Sequence, residues 1–321
     1  MQRGVVIVAV ILLVTASLAV GALAAHWPFW RRAWAWHEAQ AGWPADLAGP
    51  RALLRGGAAP RTLAPPTEEI AAVAATARTQ HLLRHRDGIT EGWSSPGTGA
   101  GSLLDGRGLS VLVLPLLFDA LERRHPGLLD KPVGAWLGAW KQDQRGAITP
   151  RELLARIAGG IGERPQFPAL NPFASTAQLA SGPDFALAAL AVFRPAAPDV
   201  PGMLPAAAAQ LLASVVEAVE GEKFATVLER ELWSPYAAGD ATLLLDHRRG
   251  AAAAHCCLEA SAPDWLQLGL LLASAGDSGG SSRTWSTAGR TLVISADGTA
   301  AAFWAGEGAP PSGLEILVAA P

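Results

Sequence analysis

The sequence predicts an α+β domain, an α/β sandwich in which an antiparallel sheet is built from both ends of the chain and a helical region is inserted between them. Three observations carry this. "HLLRHRDGITEGW" (81–93) reads as two short strands around Asp87-Gly88, a hairpin signal. "TLVISADGTAAAFWA" (291–305) has the same strand, Asp-Gly turn, strand form, and "GLEILVAA" (313–320) reads as one more strand. Between these ends the apolar residues recur at helical spacing, so the strands must pair across the helices.

The chain opens on an uncharged run, Gly4 to Ala25, preceded by Arg3. Its length suits a bilayer-spanning helix, so residues 1–26 are expected to be a transmembrane anchor or an uncleaved signal. "ALA" at 22–24 would also suit a cleavage site, although the apolar stretch is long for a signal peptide. Trp27, Trp30, Trp34, Trp36 and Trp43 follow closely, as expected of rings lying at headgroup depth. Arg31 and Arg32 balance Arg3 and the terminal amine, which weakens the orientation signal. Ser17, Gly21 and Ala25 have the small-xxx-small spacing of paired helices, a weak signal in an alanine-rich segment. Residues 44–66, rich in Pro, Gly and Ala, read as a tether, so 27–66 form a juxtamembrane segment and linker, and 67–321 the folded domain.

Within that domain, "TEEIAAVAATAR" (67–78) reads as a helix entered through a capping box at Thr67. After the hairpin, "SVLVLPLLFDALERR" (110–124) reads as a buried helix that Pro115 should kink. In "GAITPRELLARIAGG" (146–160), Thr149 caps, Pro150 takes the first helical position and Glu152 closes the box. Helical patterns follow at 184–193, 205–220, 222–232 and 263–273.

Composition narrows the function. The 321 residues are half apolar, enough for one good core, and the formal charge of -3 gives no electrostatic footprint for nucleic acid. "AGDSGGSS" (275–282) and "AAHC" (253–256) look like trypsin-type motifs, but His255 and Ser278 are too close in the chain for a barrel pair, and the first stretch reads as a surface loop. Cys256 and Cys257 are adjacent, which disfavours an ordinary disulfide, so they are expected as free thiols packing like small hydrophobes in a strand before the helix at 263. His81, His85 and Asp87 belong to a solvated hairpin rather than a metal site. "GTGAGS" (97–102) lacks the Lys and the strand-to-helix frame of a phosphate loop. Glu217, Glu220 and Glu222 read as a solvated face. No cofactor or metal is expected.

Four stretches go further: "LLRHRDG", then "LLFDALERRHPGLLDKPVGAWLGAWKQDQRGAITPRELLARIAGGI", "VVEAVEGEKFATVLERELWSPY" and "CCLEASAPDWLQLGLLLASAG". The second has a helix, a Leu-Asp-x-Pro-Val turn, a Leu-x-x-Trp segment and an Ile-Thr-x-Arg-x-Leu-Leu helix. In these the chain resembles the serine β-lactamase and penicillin-binding-protein superfamily, especially its class C-like esterase and amide hydrolase branch, over roughly residues 67–305. The resemblance implies a β-lactamase/transpeptidase-like fold. It also implies a nucleophile motif Ser-x-x-Lys, a Tyr-x-Asn or Ser-x-Asn motif and a Lys-Thr-Gly or His-x-Gly strand motif.

None of these is present where the family needs it. The residues three before Lys131, Lys141 and Lys223 are Leu128, Gly138 and Glu220; Asn171 is preceded at two residues by Ala169; and the one His-x-Gly, at 125–127, falls at a helix-to-loop junction. Spacing places the degenerate positions near Gly108 and Val111, near Ala180 and Gly182, and near Ser286 and Ala288. The family usually closes with a carboxyl-terminal helix packed on the sheet, whereas this chain stops after "GLEILVAAP": either that helix is absent or the carboxyl end aligns differently, and a missing cover would leave apolar sheet surface for the Trp-rich segment, the membrane or a partner.

The resulting expectation is a catalytically inactive, membrane-anchored member of the fold. Its single-pass helix would sit in the inner (cytoplasmic) membrane and its domain on the periplasmic, extracytoplasmic side. It would act by binding or as a structural partner, the resemblance suggesting a cell-envelope protein or a peptidoglycan-related ligand. The alternative is an active esterase- or amidase-type serine hydrolase using Ser110, or Ser102 in the loop before it, although capping a helix is the commoner use of a Ser such as Ser110.

Overall fold

Two antiparallel sheets frame the domain in the computed structural model, which describes residues 2–38, 49–76, 79–158, 175–193, 203–275, 283–287, 290–295 and 299–305. The expected strand at 313–320, the loop at 276–282 and Asn171 lie outside the described residues.

The chain begins with α1 (Gln2–Ala25) and runs through His26 into α2 (Trp27–Glu38), helical bonds from His26 N–H to the Ala22 carbonyl and from Trp30 N–H to the His26 carbonyl bridging the joint. Described side chains from Ile11 to Ala25 are all exposed. Among the described residues no helix is long and apolar enough to cross a membrane; the side chains of residues 1–10 are not among them. In the Trp-rich segment the side chains of Trp34, Trp36 and Trp43 lie outside the described residues. Trp27 is exposed, but Phe29 and Ala33 are buried with Ala177 and Trp30, so α2 docks on the protein.

The supposed tether is part of the fold. β1 (Arg51–Leu54) pairs antiparallel with β5 (Ala241–Leu244), and Leu54 is fully buried. Arg51, Ala52, Leu53 and Leu54, with Gly49 and Pro50 before them, carry too little period to be seen as a strand. α3 (Glu68–Thr76) follows, without the capping box: the residue three beyond Thr67 is Ile70, and the Thr67 hydroxyl donates to Glu91 instead.

β2 (Thr79–Arg86) and β3 (Ile89–Ser94) form the expected hairpin, Arg86 opposite Ile89. Asp87 and Gly88 both take positive φ, 50° and 78°, as a two-residue primed turn requires. β4 (Leu104–Asp105) leads into a 3₁₀ turn, Arg107–Leu112, and then α4 (Val113–Arg124). Pro115 therefore lies in the first turn of α4, where its missing N–H costs no helical bond, and no kink is needed. Four 3₁₀ turns lead to α5 (Pro150–Ile157), whose capping box at Thr149 and Glu152 forms as the sequence predicts.

The helical region continues with α6 (Ser175–Ser181), α7 (Phe185–Val192) and α8 (Met203–Glu220), α5 and α7 both packing on α8. α9 (Phe224–Leu228), a π-helical turn (Glu229–Trp233) and α10 (Ser234–Tyr236) return the chain to β5. β6 (Leu258–Ala260) precedes α11 (Ala262–Ala275), whose start is held by Ser261: its hydroxyl accepts from Asp264 N–H and donates to the Asp264 carboxylate. β7 (Arg283–Thr287), β8 (Arg290–Ile294) and β9 (Ala300–Ala305) close the chain's described part.

The larger sheet has the order β3-β2-β9-β8-β7, so both ends of the domain meet where β2 pairs with β9. The smaller is β1-β5-β6-β4. Side chains alternate along β9: Ala300, Ala302 and Trp304 join the main core with α11's Trp265, while Ala301 and Phe303 face Ile70 and Ala74 of α3. The sheet face expected to need an outside cover thus has α3 against it.

Two further expectations change. His81 is fully buried, with Nδ1 2.9 Å from Ser94 Oγ, so that strand is not a solvated hairpin arm. The Glu220 side chain, 3% exposed, is ion-paired to Arg124 and Arg230 and lies 2.7 Å from His125 Nε2, and Glu217 accepts from Phe224 N–H. A carboxylate on which two guanidinium groups and an imidazole converge can be buried, which linear spacing does not reveal.

Candidate active-site groove

The 3₁₀ turn before α4 and the edge strand β7 pack side by side, which brings the first degenerate positions, Gly108 and Val111, next to the strand that carries Ser286 of the third. Gly106 opens the turn against the face of Trp265: a Cβ there would lie 2.1 Å from Trp265 Cζ2, so only glycine fits. Arg107 takes φ 47°, its N–H held 2.9 Å from Asp105 Oδ1. Gly108 and Val111 are both buried and offer neither a nucleophile nor a base.

Ser110, on the same turn, is 1% exposed, and its Oγ accepts the Leu258 N–H at 3.1 Å. The hydroxyl ties the turn to the smaller sheet. It does not cap: the N-cap is Gly106, with no side-chain bond. Ser102, the other alternative, lies in the exposed loop before β4, its side chain part-exposed. The three lysines are engaged or exposed elsewhere: Lys131 over the Trp136 ring at 5.1 Å, Lys223 3.9 Å from Glu217, and Lys141 exposed after a 3₁₀ turn. On β7, Ser286 is exposed and its Oγ lies 3.0 Å from Thr291 Oγ1 on β8. Ala288 lies outside the described residues, as does the side chain of Ala180.

The second position, Gly182, is pinned from the amino-terminal side. The Arg32 guanidinium of α2, 1% exposed, donates to the carbonyls of Gly182, Leu245 and Asp246 and lies 5.5 Å from the centre of the Phe185 ring. Burial pulls its pKa down to about 10, opposed by the Asp246 carboxylate. Asp246, raised by its own burial, accepts from Phe185 N–H at 3.1 Å. The Phe185 ring in turn meets His255 edge-on, 5.5 Å between centroids.

His255 is a buried, neutral imidazole. Gln210 donates to the Ala252 carbonyl and accepts from Ala254 N–H, which fixes its amide, so its Oε1 must accept from His255 Nδ1–H at 3.1 Å. Nε2 has no hydrogen-bond partner, and burial lowers the pKa to about 4. No carboxylate orients this ring and no hydroxyl is bonded to it, so the arrangement of an activated nucleophile is absent among the described residues. Ser278, paired with it by motif alone, lies outside them.

Next to His255, Cys256 and Cys257 form a vicinal disulfide rather than free thiols, with Cys257 at φ 71°. Neighbouring cysteines can bridge when the second adopts a left-handed backbone, which the argument from ordinary disulfide spacing leaves out. They also sit in a turn before β6 rather than in a strand.

Across β1, β4 and β6 is a cluster that sequence spacing missed. Arg51 pairs with Glu259 at 2.6 Å, and Asp105 stands opposite Glu259 in the β4–β6 register with Arg107 beside it. Burial raises the Glu259 pKa, Arg51 opposes the shift and Asp105 adds to it. The charges balance two against two, as in an ion-pair network joining β1, β4 and β6. Among the described residues no group of three His, Cys, Asp or Glu side chains has metal-binding geometry.

No protein-family model and no curated protein sequence matches the chain. Solved structures do. A Bacillus anthracis protein described as a 6-aminohexanoate-dimer hydrolase superposes with TM-score 0.65 at 13% identity, covering 85% of this chain and 89% of its own. A penicillin-binding-protein homologue from Caulobacter crescentus gives 0.53 at 13%, covering 75% and 92%. A class C β-lactamase from Rhodobacter sphaeroides gives 0.52 at 13%, covering 78% and 97%. The fold is therefore that of the β-lactamase and penicillin-binding-protein serine hydrolases, as the sequence resemblance implied.

Proposed function

We propose that this chain is a membrane-anchored, extracytoplasmic protein of the β-lactamase fold that does not carry out Ser–Lys acyl transfer and acts by binding. One observation carries the chemical half. Around the nucleophile position stand Gly108 and Val111, while the nearest serine on that turn, Ser110, is buried and accepts a backbone N–H. Acyl transfer needs an accessible hydroxyl with a base beside it, and neither stands there.

The anchoring half rests on α1. Apart from Thr15 and Ser17 its described side chains are apolar, and they are exposed around the helix, Ile11, Leu12, Leu13, Val14, Leu18, Val20 and Leu23 each by half or more. A helix apolar on every side calls for lipid or protein around it. The uncharged sequence continues back to Gly4, and at 1.5 Å per residue the whole run reaches roughly 33 Å, enough for a bilayer core of ~30 Å. The vicinal disulfide favours an oxidising, extracytoplasmic side. A fold shared with a penicillin-binding-protein homologue suits a peptidoglycan-related ligand or a cell-envelope protein.

The full chain in detergent, offered a chromogenic cephalosporin and a p-nitrophenyl ester, should give no turnover above buffer, and alkaline carbonate should leave it in the membrane fraction. Turnover abolished by Ser110→Ala would establish Ser110 as a nucleophile and end the non-catalytic reading. Release by carbonate would end the anchored one.

A further inference from the structure

Both cysteines of the chain are in one bond, Cys256 to Cys257. The two partners are unequally placed. Cys257 is 4% exposed and packs with Phe185, Leu244 and Ala253, while Cys256 keeps part of its surface in solvent. Cys257 has φ 71°, a left-handed backbone that a residue with a side chain seldom adopts. The small ring closed by the disulfide spans the peptide leading into that residue.

The neighbours of the pair tie it to α8 and to the 3₁₀ turn before α4. His255, just before it, bonds Gln210 of α8, and Leu258, just after it, donates its N–H to Ser110 Oγ. The Cys257 carbonyl is 3.5 Å from Arg51 Nη1 of β1. Whatever fixes the backbone at Cys257 therefore fixes the link between the 3₁₀ turn of α4 and the smaller sheet.

We propose that Cys256–Cys257 is a reversible thiol–disulfide site whose reduction releases the 3₁₀ turn that carries Gly108, Ser110 and Val111 from the smaller sheet. A thiolate of an external dithiol attacks Cys256 Sγ, the more accessible sulfur. A sulfur–sulfur bond forms between the reductant and Cys256, and the Cys256–Cys257 bond breaks. The electron pair leaves on Cys257 as a thiolate, which takes a proton from solvent. The second thiolate of the reductant then attacks its own sulfur in the mixed disulfide and expels Cys256, which is protonated in turn. The net change is a two-electron reduction of the pair and oxidation of the dithiol to its disulfide. Without the ring, Cys257 is free to relax to negative φ, and the Leu258 N–H loses its fixed aim at Ser110.

The test uses the full chain in detergent. As purified, maleimide should add nothing to the intact mass, and after dithiothreitol it should add twice. With glutathione as the attacking thiol and maleimide as the trap, peptide mapping should find glutathione on Cys256 and maleimide on Cys257. Hydrogen exchange at the Leu258 amide should quicken at least tenfold on reduction. In Cys257→Gly, where glycine takes the left-handed backbone without a ring, it should stay slow with or without reductant. Two maleimides on the untreated protein, glutathione on Cys257, or Leu258 protection unchanged by reduction of the natural chain would each overturn the proposal.

Discussion

Replacing Arg32 with Met should release α2 from the domain. The guanidinium is 1% exposed and bonds three carbonyls, those of Gly182, Leu245 and Asp246, on two separate segments. Met has much of the length of the alkyl stem but no donor, so the three acceptors lose their partner in a buried place. Hydrogen bonds to a charged group contribute about 1.5–3 kcal/mol each. The guanidinium's own desolvation offsets part of that sum, as its lowered pKa reflects, and removing one partner of a buried charged cluster costs about 3–5 kcal/mol in net. At the lower figure the opening equilibrium of α2 rises by about two powers of ten, since ~1.4 kcal/mol is a factor of ten. Hydrogen exchange on the full chain in detergent should therefore show the amides of α2 exchanging about a hundredfold faster in Arg32→Met. Arg123→Met, at an exposed ion pair with Asp119, should change them by less than threefold. Equal exchange in both variants would refute the reasoning, because the bonds of Arg32 would then contribute nothing to holding α2.

Gly106→Ala should lower stability by about 1–3 kcal/mol, because its Cβ would enter the ring of buried Trp265; an unchanged Tm and tryptophan emission would contradict the packing. Acid should weaken the fold through His255. Its folded pKa of about 4 lies below the ordinary value of 6.5, so the unfolded chain binds the proton more tightly. The stabilisation is complete above pH ~6.5 and is lost as pH falls towards 4. Denaturant midpoints across that window should fall by the equivalent of about 1–3 kcal/mol more for the natural chain than for His255→Leu, and parallel curves would count against a buried neutral imidazole. His81, whose pKa burial also lowers, contributes the same sign in both proteins and drops out of the comparison.

What was legible in the sequence was local or periodic. The capping box at Thr149 needs only residues within one turn, and the Asp87-Gly88 hairpin needs only a pair that tolerates positive φ. The pairing of strands from both ends followed from simple exclusion, since the helices between them leave the terminal strands only each other. The illegible parts depend on distant partners. Arg32 reads as a juxtamembrane charge until Gly182 and Asp246 surround it. Glu220 reads as solvated until Arg124 and Arg230, from two other elements, close on it. β1 is a strand because β5 is beside it, and its four residues have no pattern of their own. The degenerate positions were found by what they lack, and the bond that ties the turn of Gly108 and Val111 to Leu258 through Ser110 appears only in the folded chain.

The most direct measurement is the intact mass of the full chain, in detergent, after separate incubation with a fluorophosphonate and with a penicillin. Both reagents trap a serine that an adjacent base has made nucleophilic. With Gly108 and Val111 at the nucleophile turn and Ser110 buried against the Leu258 amide, the mass should stay that of the unmodified chain with each reagent. A stoichiometric adduct mapped to one serine would contradict the account and identify the nucleophile of an active hydrolase.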